Sequence, residues 1–324
     1  MRHWLGGLGV CILLLACRPV SVEQASQDWV PSLRIVERGK EHDTVRYTRG
    51  GVPLYAEIYR PPDRRKASHA VVLLPGGFVG VNANHRQLAR RLAQAGYLVA
   101  LPHLRGQGKS GGVIDFGLED AVDVRGLAKA LPQVGGNGRY AYVGVSLGGA
   151  IAFNAARNDP DVRGIACLLS PTDFREQRAL LIRYGRTERA RRWDSWIGGS
   201  PDECPECWDE RDPLRHVREV NAPILFIQAG EDVLIPVGQA ARWRTVRQQM
   251  GRTVHTVALA NDGTPWHGEL KERQQSVLPF TGWGDLNEDH LVFFPEMPHK
   301  TNEVMWDITL KALARWFEEV ARAP

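Results

Sequence analysis

The sequence predicts an α/β fold in which a mostly parallel central sheet carries helices on both faces and a small cap insertion. Short continuous apolar runs, such as residues 70–74 and 162–169, alternate with amphipathic segments of helical length. Such runs are typical of strands that are buried on both faces, and their alternation with helices indicates crossovers between parallel strands. A third observation is the apolar run at residues 140–145, which is followed by Ser146 between two glycines and then by a helix-like segment.

The individual elements follow from hydrophobic periodicity and from the turn residues at their ends. Residues 54–59 alternate in part and stop at two prolines, and the helix at residues 84–95 places Leu88, Leu92 and Ala95 on one face. Strands are predicted at residues 33–37, 45–47, 54–59, 70–74, 97–101, 140–145, 162–169, 224–228 and 291–294, with a further possible strand at 254–259. Helices are predicted at residues 84–95, 116–131, 150–157, 236–250 and 301–321.

One long segment interrupts this alternation. Residues 172–221 are charged and rich in tryptophan. Because insertions at the carboxyl edge of such a sheet line ligand sites, this segment is predicted to form a cap over the site. Within it, residues 186–196 fit a cap helix that turns Trp193 and Trp196 inward, or a basic amphipathic helix that touches lipid or an anionic substrate.

The N-terminal residues have the layout of a bacterial lipoprotein signal. A short basic start precedes an apolar stretch that is too short to span a bilayer, and its end resembles a lipobox in which Cys17 is lipidated. Residues 1–17 are therefore predicted to be a signal peptide, 18–32 a tether and 33–324 the folded domain. The protein is expected to be exported and held on the membrane by a lipid anchor, on the periplasmic or cell-surface side. An ordinary signal peptide that is cleaved nearby is the alternative.

Composition limits the partners of the chain. The net charge of +4 over 324 residues is small, so no nucleic acid partner is predicted. Cys204 and Cys207 are two of five cysteines, and in an oxidising compartment this pair favours a disulfide. A zinc site is the alternative, but it needs two more ligands and His216 is the one nearby candidate, so no metal is predicted.

Ser146 is the candidate nucleophile. It stands in a Gly-x-Ser-x-Gly pattern, with Gly144 and Gly148 two residues to either side. Between a buried strand and a helix, this pattern is typical of a nucleophile elbow, where a Cβ at either glycine would crowd a strained turn. The amides at the N-terminus of the following helix stabilise negative charge that develops near the serine.

A serine hydroxyl needs a base, and the base needs a carboxylate that orients it; in this kind of sheet the chain order is serine, acid, histidine. Asp232 lies just past the predicted strand at residues 224–228, so its side chain can reach the carboxyl edge of the sheet. Glu231 is expected to face solvent, and Asp173 is a weaker alternative that fits a helix N-cap equally well. Asp232 is therefore the predicted acid.

Two histidines compete for the role of base. His299 lies between the last predicted strand and the last helix, where the base should stand. His267 fits instead if residues 254–259 form the penultimate or final core strand. His290 opens a strand rather than closing one and would point to the opposite edge. His299 is favoured, with His267 as the open alternative.

Two backbone amides must stabilise the oxyanion. The Leu147 amide directly follows the nucleophile, and the second amide is expected in the loop after the strand at residues 70–74, at Gly77 or alternatively at Phe78. Gly76 and Gly77 would let this loop approach a substrate closely.

Taken together, these motifs resemble the α/β-hydrolase family from about Leu54 onward. The resemblance is carried by four motifs, at residues 74–77, 105–110, 144–148 and 230–236. One further stretch, at residues 212–223, is similar to the dienelactone-hydrolase and prolyl-oligopeptidase-like branches. It implies an α/β-hydrolase fold without metal or organic cofactor. Family members often carry His where Pro75 stands and Asp where His103 stands, and His103 is expected to hydrogen-bond within its own loop.

The resemblance also implies Ser146, Asp232 and His299 as a triad, with the amides of Gly77 and Leu147 as the oxyanion hole. The chain is thus predicted to be a serine hydrolase that cleaves small or medium-sized carboxylic esters. A serine peptidase of the prolyl-oligopeptidase type is one alternative, although the residues ahead of the domain are too few for the propeller usual in that branch. A non-catalytic binding lipoprotein on a hydrolase fold is another, and it expects no histidine nitrogen near the serine hydroxyl.

Overall fold

The computed structural model describes residues 29–63 and 68–318. The predicted signal peptide at residues 1–17, its Cys17 and most of the tether at 18–32 lie outside these ranges. Among the helices within them, none has both the length and the apolar character that crossing a bilayer requires.

Ten strands in the described ranges form one sheet in the spatial order β1-β2-β3-β5-β4-β6-β7-β8-β10-β9. The first three pairings are antiparallel, and every pairing from β5 through β4 to β9 is parallel, which confirms the predicted mostly parallel sheet. The strands are β1 Arg34–Arg38, β2 Asp43–Arg49, β3 Val52–Tyr59, β4 Ser68–Leu74, β5 Leu98–His103, β6 Gly136–Val145, β7 Val162–Leu168, β8 Ile224–Ala229, β9 Val254–Ala258 and β10 Asp289–Phe294.

Helices cover both faces of this sheet, and successive strand residues face opposite layers. Val72 and Phe226 belong to the core under helices α2, α3 and α8, whereas Val71 and Ile227 belong to the core under α1 and α9. All four side chains are at most 1% exposed, which explains why the strands read as unbroken apolar runs. The helices are α1 Ala83–Gln94, α2 Glu119–Ala130, α3 Leu147–Ala155, α4 Phe174–Arg183, α5 Thr187–Ile197, α6 Pro205–Asp209, α7 Pro213–His216, α8 Val237–Gln249 and α9 Glu303–Glu318.

Helix α2 begins three residues later than the sequence predicts. The Asp115 carboxylate accepts hydrogen bonds from the backbone amides of Leu118, at 2.8 Å, and Glu119. Phe116 has a φ of 67°, in the left-handed region, so the residues before Glu119 form a turn and not a helix. As a result, the Phe116 ring is not part of the helix surface and packs against the rings of Phe174 and Trp193.

The order of the last two strands is not their order in the chain. Strand β10 pairs with β8 on one side and with β9 on the other, so β9 is the edge strand. The Asp289 carboxylate at the start of β10 accepts the Arg247 Nε at 2.6 Å and the Ile224 amide at 2.9 Å. Both Arg247 and Asp289 are buried, and this ion pair ties the start of β10 to the start of β8 and to helix α8.

The segment between β7 and β8 contains helices α4 to α7, and it starts at the carboxyl edge of the parallel strands. The buried Gln239 side chain anchors its beginning, because Oε1 accepts the amides of Thr172 at 2.8 Å and Asp173 at 3.1 Å. Cys204 and Cys207 are joined by a disulfide in the same segment.

Candidate active site

The turn between β6 and α3 holds Ser146 in an unusual backbone conformation. Its φ is 52° and its ψ is −123°, a combination that costs energy for a residue with a Cβ and that clusters at functional sites. The Ser146 amide donates to the Leu168 carbonyl at 2.8 Å, which fixes the turn to strand β7. The hydroxyl therefore stands at the carboxyl edge of the sheet, at the start of a helix.

The two glycines of the pattern are required by close backbone contacts. A Cβ on Gly144 would lie 2.3 Å from the Gly148 carbonyl oxygen, and a Cβ on Gly148 would lie 2.3 Å from the Leu74 carbonyl oxygen. No Cβ fits at such distances, so any larger residue must displace backbone. These contacts let helix α3 start directly behind the serine.

The structure brings Ser146, His299 and Asp232 into one hydrogen-bonded chain. His299 Nε2 lies 3.2 Å from Ser146 Oγ, and His299 Nδ1 lies 2.6 Å from Asp232 Oδ2. The Asp232 side chain is fully buried, whereas the His299 side chain is 21% exposed and can meet a ligand. Such a serine–imidazole–carboxylate arrangement can transfer a proton away from an attacking hydroxyl.

Asp232 is oriented by its own turn. Its Oδ1 accepts the amides of Leu234 at 2.8 Å and Ile235 at 2.9 Å, which leaves Oδ2 for the imidazole. The adjacent Glu231 turns away and pairs with Lys271 at 2.7 Å. The hydrogen bond from Lys271 lowers the pKa of Glu231, with Arg273 adding to this effect.

The loops that carry the acid and the histidine are held against each other. The Gly230 amide donates to the Phe294 carbonyl at 2.8 Å, and the Glu231 amide donates to the Met297 carbonyl at 2.9 Å. The side chain of Gln274 bridges the two loops, since its Nε2 donates to the carbonyl oxygens of Gly230 at 3.1 Å and Pro295 at 2.9 Å.

Sequence reasoning missed Gln274, which is 2% exposed and lies in the 3₁₀ helix Glu272–Val277 of the segment between β9 and β10. A buried glutamine in a loop segment has no local pattern that marks it. Its bridge ties together the loops of Asp232 and His299, and in the described part of the chain it forms no hydrogen bond with either side chain.

The structure does not bring the alternative residues to Ser146. His267 is exposed and follows β9, the edge strand, whereas His299 follows β10. The described residues show no hydrogen bond between His267 and Ser146, whose hydroxyl lies 3.2 Å from His299 Nε2 instead. The Asp173 carboxylate accepts the Glu176 amide at 2.9 Å and caps helix α4, and His290 lies at the start of β10, away from the carboxyl edge.

The residues whose backbone amides are proposed for the oxyanion line the same cavity as Ser146. Leu147, Gly77 and Phe78 all line it. Within residues 29–63 and 68–318, none of these three amides has a hydrogen-bond acceptor. A Cβ on Gly76 would come within 3.3 Å of the Ser146 Cβ, which shows how closely this loop approaches the nucleophile. Unpaired amides beside a nucleophile can stabilise a developing oxyanion.

His103 has the loop role expected of it. Its Nδ1 accepts the Lys109 amide at 3.3 Å, and its carbonyl oxygen accepts the Ser110 hydroxyl at 2.7 Å. Its Nε2 lies 3.4 Å from the Glu57 carboxylate. These contacts hold the glycine-rich loop after β5 and involve none of the residues around Ser146.

Ser146 and His299 open into a cavity of about 660 Å³, to which the cap helices α4 and α5 contribute. Most of the wall is apolar. The ring of Trp193 packs 4.7 Å from that of Phe116, and the ring of Trp196 packs 5.0 Å from that of Phe78. The cap helix therefore turns both tryptophans inward, as predicted, and covers an apolar site next to the nucleophile.

Potential metal ligands cluster at one place in the described part of the chain, at Cys204, Glu206 and Cys207. The two cysteine sulfurs are bonded to each other, so the thiolates that a zinc site needs are not present there. Cys167 is a free thiol inside the core.

Comparisons with known proteins agree with this architecture. A family model described as the alpha/beta hydrolase fold matches residues 69–194, which contain the elbow. An esterase from Pyrococcus furiosus is 18% identical with a TM-score of 0.58, and the alignment covers 89% of this chain and 98% of that one. No curated protein matches the chain in sequence.

Two longer hydrolases share the same architecture over part of their length. A puromycin hydrolase is 21% identical with a TM-score of 0.61, and the alignment covers 89% of this chain and 39% of that one. An acylaminoacyl peptidase from Pyrococcus horikoshii is 16% identical with a TM-score of 0.59, with coverage of 90% and 42%. At these identities the similarity establishes the fold alone: the chain has the α/β-hydrolase fold.

Proposed function

We propose that this chain, with its α/β-hydrolase fold, is a serine hydrolase that cleaves carboxylic ester bonds through an acyl-enzyme on Ser146. One observation carries the proposal: the unbroken chain from Ser146 Oγ through the two nitrogens of His299 to Asp232 Oδ2, with steps of 3.2 and 2.6 Å. An esterase among the structural neighbours supports the same class of reaction.

In the proposed reaction, His299 Nε2 accepts the hydroxyl proton while Ser146 Oγ attacks the ester carbonyl carbon. Asp232 accepts a hydrogen bond from His299 Nδ1–H and holds the imidazole in the tautomer whose Nε2 is free to accept the proton. The Leu147 amide, with that of Gly77 or Phe78, donates to the oxyanion of the tetrahedral intermediate. The imidazolium then gives its proton to the departing alcohol, and water repeats these steps to release the acid.

Fluorophosphonate labelling tests the nucleophile directly. The wild-type chain should be labelled and should hydrolyse p-nitrophenyl esters, whereas Ser146→Ala should do neither. Ser170→Ala is a matched control, because that buried hydroxyl bonds the Leu168 carbonyl and lies outside the proposed chain. Equal labelling of wild type and Ser146→Ala would refute the mechanism, as would a wild type that takes no label.

Amide hydrolysis is the second candidate function, because two of the structural neighbours are named as a puromycin hydrolase and an acylaminoacyl peptidase. A panel of p-nitrophenyl esters against dipeptidyl amides separates the two activities. If the dipeptidyl amides are hydrolysed faster than the esters, the protein is a peptidase and the esterase proposal is wrong. The non-catalytic interpretation expects no imidazole nitrogen near Ser146 Oγ, and the 3.2 Å distance to His299 argues against it.

We also propose that Cys17 carries a lipid anchor on an exported protein, on the strength of the lipobox-like sequence. In a bacterial host fed radiolabelled palmitate, the full chain should take up label and sediment with membranes. Cys17→Ser should lose both properties. Release of the wild-type chain without label would instead favour an ordinary signal peptide.

A further inference from the structure

Arginines in the cap differ in whether they have partners. Some are neutralised: Arg178 forms two bonds to Asp194 at 2.6 and 2.7 Å, and Arg191 contacts Glu188 at 2.6 Å. For Arg186 and Arg189, as for Arg183 and Arg192, the described part of the chain provides no ion pair and no side-chain hydrogen bond. Arg186 and Arg189 are thus two guanidinium groups, three residues apart, without a counter-charge.

These two unpaired arginines line the cavity that contains Ser146 and His299. No Asp or Glu among the described residues lines that cavity. The local charge at the cap side of the site is therefore positive. Cavities with walls of one charge and apolar surroundings concentrate ligands of the opposite charge.

A guanidinium group has N–H donors and no acceptor, so the side chains of Arg186 and Arg189 can only donate hydrogen bonds. The cap wall therefore offers hydrogen-bond donors and positive charge to whatever the cavity holds.

We infer that the substrate carries an anionic group, a carboxylate or a phosphate, that Arg186 and Arg189 bind while the scissile carbonyl lies at Ser146. Guanidinium groups match the geometry of both anions and bind them through paired N–H donors. The apolar wall formed by Phe116, Phe174 and Leu181 suits an uncharged part of the same molecule. This inference rests on the proposed hydrolase function and names the substrate class of its site.

The test compares p-nitrophenyl esters of equal acyl length that end in a methyl group, a carboxylate or a phosphate. The quantity measured is the ratio of kcat/KM for each anionic ester to that for the neutral ester. For wild type we expect at least one ratio to be roughly tenfold above unity and to fall as NaCl is raised, because salt screens exposed charges. The better anionic ester identifies which of the two anions the site prefers.

The double variant Arg186→Gln, Arg189→Gln should bring this ratio close to unity. Arg183→Gln is the matched control, because Arg183 is an exposed cap arginine that does not line the cavity, and it should keep the wild-type ratio. Ratios near unity in wild type, or a double variant that loses activity on all three esters equally, would overturn the inference. Neither result would contradict the proposed esterase activity. That proposal fails instead if no ester is hydrolysed and Ser146 is not labelled by fluorophosphonate.

Discussion

Gln274 Nε2 donates a hydrogen bond to the Pro295 carbonyl oxygen at 2.9 Å, and this bond joins the segment after β9 to the loop that carries His299. The same nitrogen donates to the Gly230 carbonyl at 3.1 Å, in the loop that carries Asp232. The spacing of Asp232 and His299 is thus set in part by a residue from a third segment, which forms no hydrogen bond with either side chain among the described residues.

Gln274→Ala should reduce catalysis more than binding. The change leaves two buried carbonyl oxygens without this donor, which costs about 1–3 kcal/mol, and lets the two loops separate. We expect kcat to fall roughly tenfold with KM changed less, since the lost interaction acts on the position of the base. Steady-state kinetics and the rate of fluorophosphonate labelling measure this. Gln275→Ala, at the exposed neighbouring position, should behave as wild type; an unchanged labelling rate in Gln274→Ala would rule out the positioning role.

Asp232→Asn should remove most of the activity while leaving the fold intact. The amide keeps an oxygen for the Leu234 and Ile235 N–H groups but no longer offers a carboxylate to His299 Nδ1. A roughly 10³–10⁴-fold loss of kcat is expected, because the imidazole loses its orienting charge and its tautomer. Glu231→Gln is the control and should stay within about threefold of wild type. Comparable losses in both variants would argue that the turn as a whole matters and not the carboxylate of Asp232.

Gly148→Ala should destabilise the protein through backbone crowding. Its Cβ would lie 2.3 Å from the Leu74 carbonyl oxygen, so strand β4 or helix α3 must shift, at a cost of about 1–3 kcal/mol. Gly238→Ala in helix α8 is the control, because its Cβ meets nothing nearer than Arg242 Nη1 at 3.6 Å. Urea unfolding should show Gly238→Ala unchanged or up to about 1 kcal/mol more stable. A Gly148→Ala protein as stable as wild type would contradict the crowding argument.

Asp212 makes the free energy of unfolding depend on pH. Burial raises the pKa of this carboxyl to about 7, although the Phe174 amide donates to it at 2.6 Å. Between about pH 4 and pH 7 the folded protein therefore binds more protons than the unfolded chain, and the stability contributed at this group falls as pH rises through that window. At about 1.4 kcal/mol per pKa unit the fall amounts to a few kcal/mol.

Asp212→Asn removes this titration while keeping an oxygen for the Phe174 amide. Its free energy of unfolding should fall less between pH 4 and pH 7 than that of wild type, and the variant should be the more stable protein above pH 7. Asp202→Asn, at an exposed position of the same cap, should retain the wild-type slope. Parallel curves for wild type and Asp212→Asn would exclude this group as the source of the pH dependence.

Much of the fold and part of the site could be read from the sequence because the signals are local. The elbow can be recognised from a few consecutive residues, because glycine is the residue that fits the close backbone contacts at positions 144 and 148. The location of Asp232 at the carboxyl edge of the sheet could be predicted because this residue comes shortly after a buried strand. The sheet, with its helices on both faces, follows from the alternation of apolar runs with amphipathic segments.

The choice between His299 and His267 could not be made in the same way. It depends on which of β9 and β10 lies beside β8, and both are short apolar runs. The buried contacts of Asp289 with Arg247 and Ile224 favour β10 there, and they join residues 42 and 65 positions apart in the chain. The Gln274 bridge spans 44 residues to Gly230 and has no local pattern for the same reason.

The position of β10 between β8 and β9 also bears on when the proposed nucleophile gains its base. Strand β9 is synthesised first, yet among the described strands its sheet neighbour is β10 alone, so it has no place to dock until β10 has emerged. His299 arrives on the loop behind that strand. In the proposed mechanism, a newly made chain therefore carries Ser146 without its base until β10 is inserted, and ester cleavage would await nearly complete folding.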